Sequence, residues 1–175
     1  SPQFVQTVRV TGDFGPAGKP VLSMRLMPEP NLLSRQPGTP IPEANDAQRW
    51  QPMISDNGVV KFSGREGAVL VEAEPKGPDK WVYPILTLPA NRRPPPGCQA
   101  LCCTLTLREG DGQFRAILDE ENGSSYVVDF LIQPKRGETI EAVALLENAA
   151  FGAGWSKPDA NHRLDLEQVV ALKIG

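Results

Sequence analysis

Trp81 and Tyr83 stand two residues apart in an extended run and share one strand face. Trp155 sits alone in a glycine-flanked stretch, Phe151-Gly-Ala-Gly-Trp155. Gln113, Arg115 and Asp119 fall on the outward face of a second strand, and Tyr126 begins that strand's partner. Flat apolar rings beside planar polar groups can stack on the C–H face of a pyranose and pair with its hydroxyls. The chain has only three Trp, two Tyr and six Phe, so each ring is informative.

Each of these residues also has a plainer reading. Trp81 and Tyr83 also fit the core or rim of a sandwich. Trp155 also fits a plug closing a sandwich end. Gln113, Arg115 and Asp119 also fit a solvated face with cross-strand charge pairs, and Tyr126 fits either group. Trp50 reads as an anchor for the segment before it. His162, in the polar run Asp159-Ala-Asn-His-Arg163, reads as an exposed loop residue.

Catalytic patterns are absent from the sequence. There is no Gly-x-Ser-x-Gly elbow, no phosphate-cradling glycine loop and no His-Glu-x-x-His. Asp119, Glu120 and Glu121 cluster, but they approach a hairpin turn, where carboxylates are commonly solvated. Glycoside hydrolysis would need two carboxylates facing each other across a cleft. The expectation is therefore a protein that is not an enzyme.

Composition narrows the class further. The 175 residues suit one domain with a real core, and 18 prolines and 16 glycines favour turns over helices. A net charge of −3 without a basic block argues against nucleic acid. No apolar run is long enough to cross a membrane, and no signal peptide is read. The opening Ser1-Pro-Gln-Phe4 fits a processed chain or a piece of a larger one. Cys98, Cys102 and Cys103 give no closed disulfide framework. Cys103 is expected as a small buried hydrophobe, and zinc is not expected.

The elements that must position these residues are short strands. Residues 1–57 read as an N-terminal extension packed on the rest. They hold strands at Phe4–Val10 and Val21–Leu26, a proline-rich loop from Pro28 to Pro42, and a helical turn near Asp46–Trp50 capped by Asn45 or Asp46. From 58 to 175, strands are expected at 59–63, 68–73, 81–88, 98–108, 113–119, 125–132 and 139–146, with a final strand within 164–174. Asn122-Gly123 marks a hairpin between two alternating runs. Phe114, Ala116 and Leu118 should face the core, as should Leu101, Cys103, Leu105 and Leu107. Together the chain reads as one all-β domain, a jelly-roll β-sandwich of about nine or ten antiparallel strands.

The succession Trp81-Val-Tyr-Pro-Ile-Leu86, Leu101–Arg108, Gly123-Ser-Ser-Tyr126 and the terminal Leu164–Gly175 run resembles the galactose-binding-like jelly roll of carbohydrate-binding modules. The similarity covers roughly residues 58–175, and its motifs are loose. It implies a secreted or periplasmic, non-catalytic accessory module for a polysaccharide or oligosaccharide, attached to a flanking catalytic domain. Such modules often carry a structural calcium. Glu72, Asp165 and Glu167 are oxygen donors at hand, but no compact acidic loop is seen and the metal is left unassigned. The ligand set expected on this reading is Trp81, Tyr83, Gln113, Arg115, Asp119, Tyr126 and Trp155. The alternative is a structural or interaction β-sandwich that packs on a catalytic domain or partner protein. A third reading, a polysaccharide-active enzyme using acidic residues of a concave face, ranks below both.

Overall fold

The alternating runs become strands, and the only helices among the described residues are single 3-10 turns. A computed structural model describes residues 7–14, 20–27 and 38–175. The expected strand start at Phe4–Gln6 and residues 28–37 of the proline-rich loop lie outside these. Two compact units divide at Pro40/Ile41, so residues 41–57 belong with the second unit.

In the first unit, β1 (Thr7–Phe14) and β2 (Pro20–Met27) form an antiparallel hairpin running from Thr7↔Met27 to Phe14↔Pro20. Here β1 continues four residues past its expected end at Val10, to Phe14. Pro20 opens β2, a position where a missing N–H is tolerated in a strand.

The second unit holds ten further strands: β3 (Trp50–Gln51), β4 (Val59–Arg65), β5 (Ala68–Glu74), β6 (Ile85–Thr87), β7 (Ala100–Thr106), β8 (Arg115–Glu120), β9 (Ser125–Asp129), β10 (Thr139–Leu145), β11 (Ala150–Phe151) and β12 (Val169–Ile174). The fold is an all-β sandwich of antiparallel strands. Six strands form one sheet in the order β11-β9-β8-β12-β6-β3, while β7 pairs with β10 and β4 with β5. The C-terminal strand therefore lies inside the large sheet, paired to β6 on one side and β8 on the other.

Alternation decides which side chains meet in the core. Ala116 and Leu118 of β8, Val128 of β9 and Leu172 of β12 pack with Ala142 and Ala144 of β10. Leu101, Cys103 and Leu105 of β7 join this layer partly buried, as their parity requires. Burial drives the Cys103 thiol pKa up to about 12, so it stays a neutral apolar filler. In β12 the parity breaks: Val169 pairs with Glu120 but Ala171 pairs with Asp119. The extra residue, Val170, forms a bulge that lets both Val169 and Leu172 reach the core.

Turn chemistry matches the turn residues. The β4–β5 connection is Glu66-Gly67, both with positive φ (50° and 77°), the signature of a two-residue hairpin turn of primed type. The β8–β9 loop is Glu121-Asn122-Gly123, with Gly123 in the left-handed region at φ 88°. Asp46 accepts from the Gln48 N–H and caps the 3-10 turn Ala47–Arg49, as read from the sequence. Two short strands, β3 and β11, were not anticipated; each fell within a stretch read as turn or loop.

Leu118 is 1% exposed whereas Leu131 is 43% exposed. Leu118→Ala should lower the unfolding free energy by about 2–5 kcal/mol. Leu131→Ala should change it by no more than about 0.5 kcal/mol. Urea titrations of the two variants check this, and equal losses would refute the assigned core.

Candidate binding surface

Trp81 and Tyr83 are held by an extension of the β3–β6 ladder. Trp50↔Leu86, Gln51↔Ile85 and the bridge Ile54↔Val82 share one register. The Tyr83 N–H donates to Met53 O (2.8 Å) and the Ser55 N–H to Trp81 O (3.1 Å). Pro52 faces Pro84 in that register, and neither can donate, which is why the regular strands stop there. The Trp81 and Tyr83 rings lie 6.2 Å apart, tilted by 32°. Trp81 is 37% exposed and Tyr83 is half-buried.

Gly175 links this aromatic pair to β8. Its N–H donates to Arg115 O (3.1 Å) and its carbonyl accepts from the Arg115 N–H (2.7 Å). On the other side a side chain at Gly175 would collide with Val82 O and Tyr83 Cα, so only glycine fits between the strands. Trp81, Tyr83, Gln113 and Arg115 therefore gather at one end of the large sheet. Arg115 and Tyr83 lie on strands about 10 Å apart, two strand spacings. Gln113 is exposed.

The polar face is paired across strands. Arg115 Nε lies 2.7 Å from Asp129 Oδ1 but makes no well-directed hydrogen bond, so the contact is charge pairing. Asp119 Oδ2 lies 2.6 Å from Lys173 Nζ, and its Oδ1 accepts from Ser125 Oγ (2.7 Å). Lys173 and Ile117 are buried on this face, at 8% and 4% exposure, although alternation alone would turn both to solvent. Asp119 thus has both oxygens engaged, while Arg115 keeps guanidinium N–H groups beyond its contact with Asp129.

Tyr126 and Trp155 lie toward the opposite end of the sheet, beside the β8–β9 hairpin loop. Tyr126 is 2% exposed; its hydroxyl donates to Asp159, and its ring meets Phe151 edge-on at 5.7 Å. Burial, then the Asp159 hydrogen bond, pushes its pKa well above the usual phenol range. The Tyr126 hydroxyl in turn holds the Asp159 carboxyl below the ordinary aspartate range, helped by backbone N–H groups including that of Arg163. Trp155 is 53% exposed, with its ring laid over Gly152, where a Cβ would clash. Ser156 fixes this loop by accepting from the Ser125 N–H. His162 is exposed and meets Phe151 edge-on.

Two polar anchors escaped sequence reasoning. Glu120, read there as a solvated turn residue, is 2% exposed and accepts from Ser124 Oγ, Asn122 Nδ2 and the Asp165 N–H. The Gln133 amide accepts from the Phe114 N–H and donates to Phe114 O, replacing a missing strand neighbour. Neither has a local pattern, because the partners come from distant loops. Glu72 belongs to β5, opposite Lys61, whereas the Asp165 carboxylate accepts from Asn161 and Gln168. Among the described residues no three His, Cys, Asp or Glu side chains are grouped as metal ligands.

The Tyr126–Asp159 pair has a sign-defined pH signature. A lowered Asp159 pKa adds stability above the ordinary aspartate range, and this is lost as pH falls through the folded value. A raised Tyr126 pKa adds stability below the ordinary phenol range, and this is lost as pH rises beyond it. Tyr126→Phe should flatten the stability profile at both the acidic and the alkaline limb, as read by urea unfolding across pH; an unchanged profile would contradict the assignment. The chain matches no protein-family model, no curated protein and no solved structure.

Proposed function

We propose that this β-sandwich is a non-catalytic module that binds a polysaccharide or oligosaccharide at the Gly175 end of its large sheet. The observation that carries the proposal is the Trp81–Tyr83 pair: two rings 6.2 Å apart, one of them open to solvent. The exposed Gln113 amide and the free N–H groups of Arg115 lie at the same sheet end, suited to hydroxyls. A sugar would stack on the Trp81 ring and take hydrogen bonds from these groups. Asp119 and Tyr126 fall out of the expected ligand set as direct contacts, because their polar atoms are engaged internally. Trp155 remains an exposed ring at the far end, able to meet a second stretch of a long polymer. A secreted or periplasmic accessory role beside a catalytic domain belongs to the same proposal.

The second reading is a structural or interaction domain. It draws on aliphatic side chains that stand in solvent, above all Ile132 at 59% and Val59 at 45% exposure. Such side chains suit a partner protein better than a sugar.

Affinity electrophoresis through soluble β-glucans, xylans, mannans and pectins separates the two. One polymer should retard the wild type, and Trp81→Ala should weaken that retardation roughly tenfold, about 1.4 kcal/mol. Tyr83→Phe should retain it, since stacking needs the ring and not the hydroxyl. Absence of retardation by every polymer would move the assignment to the interaction domain.

A further inference from the structure

Among the described residues, the seven-residue strand β7 has β10 on one side and no strand on the other. The Leu146 N–H donates to Gln99 O (2.9 Å), in the same register that pairs Leu145 with Ala100. Antiparallel pairs alternate, so Leu101, Cys103 and Leu105 turn their backbone groups toward β10. Ala100, Cys102, Thr104 and Thr106 turn theirs away from it. Among the described residues these outward groups have no backbone partner, and the only side-chain contact is the Cys98 thiol at Ala100 O. Cys102, Thr104 and Thr106 are exposed, and Leu101, Cys103 and Leu105 are only half-buried although they face the core.

Exposed edges are usually blunted by a charge, a proline, a bulge or a covering loop. The strand Ala-Leu-Cys-Cys-Thr-Leu-Thr carries no charge, proline or glycine, and it pairs with β10 without a register shift. Its sequence is also self-complementary about its midpoint. Leu101 and Leu105 lie symmetrically on either side of Cys103, with Cys102 and Thr104 between them.

From this we propose that β7 pairs antiparallel with β7 of a second copy of this chain, about a two-fold axis at Cys103. In that register Leu101 meets the second copy's Leu105, and Cys102 meets its Thr104. Every outward N–H and C=O of the strand gains a partner, and no like charges are opposed. The two-stranded β7–β10 sheet becomes a four-stranded one, extending a layer that is otherwise narrow for a stable sheet. The contact is isologous, so it closes at a dimer and does not propagate. It is independent of the sugar-binding proposal, because β7 contributes none of the residues invoked there.

Thr104→Pro is the discriminating variant. The Thr104 N–H points away from β10, so proline there removes no hydrogen bond of the monomer but blocks the edge. Sedimentation velocity across the micromolar range should show the wild type moving from monomer to twice that mass. Thr104→Pro should remain monomeric with an unchanged far-UV spectrum. A wild type that is monomeric throughout, or a folded Thr104→Pro that dimerises equally well, would overturn the proposal. Should Thr104→Pro fail to fold, amide exchange on the wild type decides. The Cys102 and Thr104 amides should be protected at concentrations that give dimer and exchange faster on dilution. Protection that persists in the monomer would overturn the proposal by assigning the edge to another stretch of the same chain.

Discussion

The second unit depends on where its last strand goes. β12 lies between β6 and β8, and among the described residues no other strand joins these two halves of the large sheet. Without it, β3–β6 and β8–β9–β11 are separate fragments with exposed apolar faces. With it, Leu172 seals the core, Lys173 reaches Asp119, and Gly175 bonds to the Arg115 backbone on one side and abuts the Tyr83 backbone on the other. The bulge at Val170 is part of this fit, since it returns β12 to the register that its core residues need. Contacts this distant in sequence are slow to form, because loop-closure entropy is spent before the strand is rewarded.

Side chains join backbone contacts such as the Glu121 N–H to Gln168 O bond in closing the ends of the sandwich. At the hairpin end the buried Glu120 carboxylate ties its own loop to Asp165, and Tyr126 ties β9 to Asp159. Each is a charged or polar group withdrawn from water, tolerable because its hydrogen bonds are made. At the other end Gln133 serves as the neighbour that Phe114 lacks. At both ends, then, polar side chains hold loops in place.

Period-two alternation made much of the fold legible. It placed Ala116 and Leu118 inside, placed Leu101, Cys103 and Leu105 on one face of β7, and located the β8–β9 hairpin at Asn122-Gly123. It could not see that Ile117 and Lys173 would be buried on the opposite face, because burial there depends on neighbours from other strands. It missed β3 and β11, whose two residues are too short for any period to register. In the candidate site, the shared face of Trp81 and Tyr83 was readable from spacing, but their approach to Arg115 was not. That approach exists only because Gly175 lies between them. Tyr126 shows the converse: a residue whose type suited a ligand is held in the interior by an acid more than thirty positions away.

The three tryptophans offer one direct test of where a ligand sits. The Trp50 indole N–H donates to Ala44 O (3.0 Å) and packs against the core, whereas Trp81 and Trp155 are solvent-facing. Their indole resonances in a nitrogen–proton correlation spectrum, followed as a soluble glycan is titrated, report the three places separately. The account predicts that Trp81 shifts with saturation while Trp50 stays fixed as an internal reference. No shift at Trp81 with any glycan, or a saturating shift confined to Trp155, would contradict it.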